Sequence, residues 1–160
     1  MKQRVAQAFA ERVKQRNLGP DVQVIYRVVG GMPSQRVKYE VAVDSVGGAR
    51  VAGSDARVTP TARHASIPPE RVDVVDLFEQ ISAGLHSLMP EGRATFLPDA
   101  LVGSLTISID GDEETFYFVP EKEIRRTANK AVAPAIDRAL QRLWIIAKDT
   151  TDGQKDTKYE

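Results

Sequence analysis

The sequence predicts an α+β fold: an antiparallel sheet of four to five strands, made from two hairpins, with helices packed on one face. Three observations predict it. Two pairs of segments alternate in hydrophobicity, each pair joined by a short Gly-containing turn. Three other segments repeat their apolar residues at helical spacing. The connections within each strand pair are too short for a parallel crossover, so both pairs must be antiparallel. Helices covering one face of such a sheet give a two-layer sandwich. The expected order is α-ββ-(loop)-α-ββ-α in a single domain over residues 1–148, followed by a polar tail, 149–160, that is expected to fray.

The first element is a helix over 2–17, with Val5, Phe9 and Val13 four residues apart and Ala6 and Ala10 beside them. Asn17-Leu18-Gly19-Pro20 stops it, because Gly accepts a left-handed cap and Pro cannot continue the helix. A strand follows over about 22–29. Val22, Val24, Tyr26 and Val28 share one face, while Ile25 and Val29 make the other partly apolar, the pattern of a central strand. After the turn Gly30-Gly31-Met32-Pro33-Ser34, residues 36–46 alternate more cleanly, with Val37, Tyr39, Val41 and Val43 on one side.

Residues 47–69 are punctuated by Gly47, Gly48, Gly53, Pro60, Pro68 and Pro69. Ala49–Ala52 or Ala56–Thr59 can supply a short edge strand, and the rest reads as a long mobile loop able to bind something. A helix over 70–89 comes next, with Pro69 in its first turn and Val74, Leu77, Phe78, Ile81, Leu85 and Leu88 forming its stripe. Its Phe78, Ile81, Leu85 face is expected to pack on Leu105, Ile107 and Ile109 of the second hairpin. That hairpin runs Leu101–Ile109, turns at Asp110-Gly111, and returns through Glu114–Val119 with Phe116 and Phe118 alternating. Helical character resumes at Glu121 and, past Pro134, continues through Ile136, Ala139, Leu140, Leu143, Trp144 and Ala147.

Lys+Arg and Asp+Glu both number 22, so the chain as a whole lacks the basic balance of a nucleic-acid binder. Lys2, Arg4, Arg12, Lys14 and Arg16 do make the first helix basic, a face more often solvated than functional. Cysteine is absent, which removes disulfides, thiolate catalysis and Cys-ligated metals. The N-terminus lacks the apolar run of a signal peptide, and no segment is apolar for long enough to span a bilayer. A cytoplasmic location is expected.

Motifs with chemistry are few. His64 and His86 stand in none of the zinc spacings. Asp110, Asp112, Glu113 and Glu114 could gather oxygens for calcium, but the EF-hand spacing is missing and an Asp-Gly hairpin turn explains the same residues. Gly30-Gly31 and Gly47-Gly48 are followed by no Lys-Ser/Thr and open no helix, which favours turn glycines over a phosphate loop. Nothing resembles G-x-S-x-G. No metal and no cofactor are expected.

The segment VQVIYRVVGGMPSQRVKYEVAV resembles the start of emfourin-type bacterial domains, in which an early strand carries a basic residue and then Gly-Gly, here Arg27 and Gly30-Gly31. Pro98-Asp99, before a strand and after an amphipathic helix, is similar too. The resemblance spans about 22–120 and implies a binding protein, since the family is associated with inhibition of thermolysin-like metallopeptidases. The segment 47–69, the first helix and the long last helix depart from it, and no inhibitory residue carries over.

Two functional readings remain. One is a non-enzymatic protein-binding or regulatory domain, with a protein partner or a homodimer held through the C-terminal helix. There Leu143-Trp144-Ile145-Ile146 puts more apolar surface around the helix than a single sheet can cover, so Trp144 and Ile145 are contact candidates. The face of the first helix is the intramolecular candidate for that cover. The other reading is a small enzyme or ligand-binding domain with a pocket between the sheet and the loop 47–69, lined by Tyr26, Arg27, Arg63 and Asp99.

Overall fold

The computed structural model of the chain describes residues 3–31, 36–55, 59–90, 101–118 and 134–152. Among them are three α-helices and seven strands: α1 (Gln3–Gln15), β1 (Val22–Gly30), β2 (Val37–Asp44), β3 (Ala49–Asp55), β4 (Thr59–Ile67), α2 (Val74–Gly84), β5 (Met89–Pro90), β6 (Val102–Ile109), β7 (Asp112–Phe118) and α3 (Pro134–Asp152). The α+β class and the antiparallel sheet are as the sequence predicts. The strands form one sheet in the order β4-β3-β2-β1-β6-β7-β5, with every pairing antiparallel. β1 is the central strand, and it joins the two hairpins by pairing with β2 on one side and β6 on the other. None of the described helices is long and apolar enough to cross a membrane.

The strand count is the main correction: seven, against four to five expected. Residues 47–69, read as a loop with one short edge strand, contain β3 and β4, which extend the sheet beyond β2. Their inward positions do alternate: Ala49, Val51 and Gly53 on β3, Ala65 and Ile67 on β4. Small side chains fill most of them, so hydrophobic contrast is weak. Pro60 is tolerated because it lies near the start of an edge strand. A bulge between Gly53 and Asp55 further blurs the period.

The second correction concerns the entry to α2. It begins at Val74, with Asp73 accepting from the Asp76 amide at 3.3 Å as an N-cap, so Pro69 lies outside its first turn. Residues 68–73 instead dock on the β2–β3 turn: Glu70 N–H donates to Val46 O at 2.8 Å and Val72 N–H to Gly47 O at 2.9 Å. Gly47 adopts φ +89°, and a Cβ there would stand 2.7 Å from the Val72 carbonyl, so both conformation and space require glycine.

All three helices cover one face of the sheet. α1 lies over β6 and β7, α3 over β2, β3 and β4, and α2 packs between α1 and α3. Phe78, Ile81 and Leu85 share one core with Leu105, Ile107 and Ile109 as expected, but α1 is the helix set directly over β6. Phe9 bridges α1 to α2, its ring 5.4 Å from that of Phe78. The basic face of α1 is partly neutralised: Arg12 pairs with Asp21 and Asp110, both at 3.1 Å, and Arg16 with Glu79 at 3.6 Å. Asp110 and Gly111 both take positive φ, which makes the β6–β7 turn the predicted two-residue Asp-Gly hairpin.

Candidate functional site

The strand period of two separates residues that neighbour each other in sequence. Tyr26 points into the core and stacks on Phe118 with ring centroids 5.7 Å apart. Arg27 lies on the opposite face, which is helix-free among the described residues, and its Nε donates to Glu40 Oε1 across β1–β2 at 2.6 Å. Arg63 belongs to β4, its backbone opposite Gly53, two strands beyond Glu40. Asp99 lies outside the described residues. Among the described residues, then, the proposed pocket of Tyr26, Arg27 and Arg63 is not brought together. Its other wall, the loop 47–69, supplies β3 (Ala49–Asp55) and β4 (Thr59–Ile67) to the sheet.

The helix-free face carries a mixed row. Reading across the register from β7 to β4, Tyr117, Ser104, Arg27, Glu40, Ala52 and His64 stand side by side. Its Arg27–Glu40 pair is half exposed, a setting where ion pairs contribute roughly 0–1 kcal/mol. Thr106 and Thr115 share a hydrogen bond at 2.9 Å in the neighbouring row. The Arg27–Glu40 pair is thus a half-exposed, satisfied contact, whereas Thr106 is buried, only 3% exposed. No group of three or more His, Asp or Glu residues able to hold a metal exists among the described residues.

The other side of the molecule is more informative. Among the described residues three large hydrophobic side chains are exposed: Val46 at 54%, Val75 at 43% and Ile145 at 49%. Val46 and Val75 border one groove of about 390 Å³, with Val13, Leu18 and Phe78 among its lining. The groove exists because the β2–β3 turn and the chain entering α2 are tied together by the Glu70–Val46 and Val72–Gly47 bonds. α2 and α3 run antiparallel. Ile136 packs against Gly84 at one end, and at the other Arg142 donates to Asp76 and Gln80, each at 3.0 Å. Val46 and Val75 thus share a groove on the α1 side of α2, whereas Ile145, one helical turn beyond Arg142, is exposed on α3 and is not among the groove's lining.

Trp144 is half-buried, its ring edge-on to Tyr39 at 5.2 Å. Ile146 is buried and Ile145 is the residue turned outward, which resolves the choice the sequence left open. The face of α1 does not cover it, since α1 and α3 flank α2 on opposite sides.

A second groove, also of about 390 Å³, lies where α1, the end of α2 and β7 meet. It is lined by Glu114, whose Oε1 accepts from the Ala6 amide at 3.3 Å and which is only 6% exposed. The sequence reading missed this residue as a buried group, although it lies two positions before Phe116 on the same inward face. No family model matches the chain, and no curated protein matches it significantly.

Proposed function

We propose that the chain is a non-enzymatic protein-binding domain, that its contact surface is the end of the helical layer around Val46 and Val75, and that its first partner is a second copy of itself. One observation carries this reading: the exposed large hydrophobics Val46 and Val75 flank the same apolar groove, and Ile145 is a further exposed large hydrophobic, on α3. Scattered exposed apolar residues need no explanation, whereas a cluster around a groove marks a contact site. Each such side chain is already about half buried, so covering it contributes about half of the roughly 1.5–3 kcal/mol of a full burial. The association through the C-terminal helix becomes part of this larger face, with Ile145 as its outward residue and Trp144 beside it. A symmetric pair is the commonest way to cover such a surface. The resemblance of residues 22–120 to emfourin-type domains also favours binding over catalysis. We place this function in the cytoplasm.

Val75→Asp and Ile145→Asp test the surface. Both positions are exposed, so circular dichroism should stay native. In sedimentation equilibrium the unaltered protein is expected to associate and the double variant to remain monomeric. Indistinguishable behaviour of the two would contradict the assignment.

A further inference from the structure

We propose that the open edge of the sheet along β4 takes an extended acidic peptide of another protein as an added strand. The sheet ends differently on its two sides. β5 closes one side with only Met89 and Pro90, and proline has no N–H to offer a ladder. On the other side, among the described strands, β4 is paired with β3 alone. Its register from Arg63 to Ile67 is unbroken, since the bulge lies between Gly53 and Asp55 and Pro60 falls outside this stretch. A free row of N–H and C=O groups is a template for a further strand, and natural sheets usually interrupt it with Pro, a bulge or a very short strand. None of these interrupts residues 63–67, so main-chain bonds can hold an extended segment there.

Side chains define the partner. Between Ala49 and Ile67 the sequence holds Arg50, Arg57 and Arg63 against Asp55 as the single carboxylate, in a chain with no net charge. On the face that none of the described helices covers, Arg50, Ala52, His64 and Ser66 line an open depression of about 700 Å³. Arg50 stands opposite Ser66, and Ala52 opposite His64. Arg50 and His64 are exposed, and neither forms an ion pair among the described residues. The carboxylate that also lines the depression, Glu40, is already bonded to Arg27 at 2.6 Å. A strand added beside β4 brings its outward side chains to about 4.5–5.5 Å from His64 and Ser66, and Ser66 is short enough for Arg50 to extend over it. Carboxylates at those positions meet uncompensated positive charge. On the inward side the added strand meets Ala65 and Ile67. Ala65 is still only half-buried at the edge, so an apolar side chain beside it adds cover. The arginines make a second copy of β4 a poor occupant, because pairing would bring like charges together. No residue lining the Val46–Val75 groove comes from β3 or β4, so this edge is separate from the association surface and does not depend on it.

Four probes are titrated into the full chain: Glu-Val-Glu-Val-Glu-Val-Glu, the same peptide with Lys in place of Glu, Glu-Pro-Glu-Pro-Glu-Pro-Glu, and a uridine oligonucleotide of similar length. Two-dimensional NMR follows the amide shifts and exchange of Ala65, Ser66 and Ile67. The Glu-Val peptide is expected to shift these signals saturably, to bind at least about tenfold more tightly than the lysine peptide, and to slow the fast alternate amides of β4. The Glu-Pro peptide carries the same charge, but its prolines have no N–H for the ladder, so it should bind at least about tenfold more weakly and leave exchange unchanged. Arg50→Glu combined with His64→Glu, both at exposed positions, should turn the preference toward the lysine peptide while circular dichroism stays native. Equal binding of the Glu-Val and Glu-Pro peptides, tighter binding of the oligonucleotide, β4 amides that stay unprotected, or a charge preference that does not reverse would overturn the inference. Should the double variant fail to fold, the comparison of the probes on the unaltered chain decides it alone.

Discussion

Gly84 sits where α2 and α3 cross, and the space above it belongs to Ile136. A Cβ on Gly84 would lie 2.5 Å from the Ile136 Cβ and 3.0 Å from its backbone nitrogen, too close for either helix to absorb without moving. Overpacking of this kind costs typically about 1–3 kcal/mol. Gly84→Ala is therefore expected to lower stability by that amount, although alanine is the better helix former; a denaturant melt equal to or above that of the unaltered protein would contradict the close crossing. Ile81 makes the opposite point. It is fully buried, and Ile81→Ala should cost about 2–5 kcal/mol by lost burial and a residual cavity. An unchanged midpoint would mean this face of α2 is not core. At this scale the sequence was informative about burial: Phe9, Leu77, Ile107 and Leu143 are all core as their periodicity required. It was poor on convergence. Tyr26 and Arg27 are adjacent in sequence and on opposite faces of the sheet, which the strand period alone could have shown. Glu114 was equally readable from its spacing to Phe116 and Phe118.

At the scale of elements, β3 and β4 show where pattern reading fails. Their inward residues are mostly Ala and Gly, because α3 lies above them and supplies part of the bulk; its half-buried Trp144 meets Tyr39, the residue paired with Gly53. The volume is shared between layers, so the strands alone look polar and irregular. The docking of 68–73 on the β2–β3 turn was hidden for another reason, being a pairing of two non-adjacent turns by backbone bonds that no local period encodes. Amide exchange should now separate the two strands. β3 is hydrogen-bonded on both sides, so Val51 and its neighbours are expected to exchange as slowly as Val41 in β2. β4 is paired on one side only, and alternate amides along it should exchange much faster. Exchange in β3 as fast as in an open loop would mean that residues 49–55 do not hold their place in the sheet.

For the molecule as a whole, the distribution of polarity over its surface is the guide to function. The face of the sheet that none of the described helices covers mixes polar and apolar residues, with Arg27 bonded to Glu40 and Thr106 to Thr115 beside Ile25 and Ala42. Two of the basic residues in and just after α1 are paired, Arg12 with Asp21 and Asp110 and Arg16 with Glu79. The large apolar side chains exposed among the described residues are Val46 and Val75, which flank one groove, and Ile145 on α3. Specific interfaces bury on the order of 1,200–2,000 Å² in total, so these side chains would form the centre of a contact and not its whole extent. Trp144, the only tryptophan in the chain, lies on the neighbouring flank of α3 and should report the contact by a concentration-dependent change in emission. The most direct test of the central claim is the molar mass in solution, measured by light scattering on a size-exclusion column across a wide range of loading concentrations. The account predicts a mass that rises from that of the 17.6 kDa chain toward twice that value as concentration increases. A mass that stays at 17.6 kDa at every concentration would contradict self-association through this face.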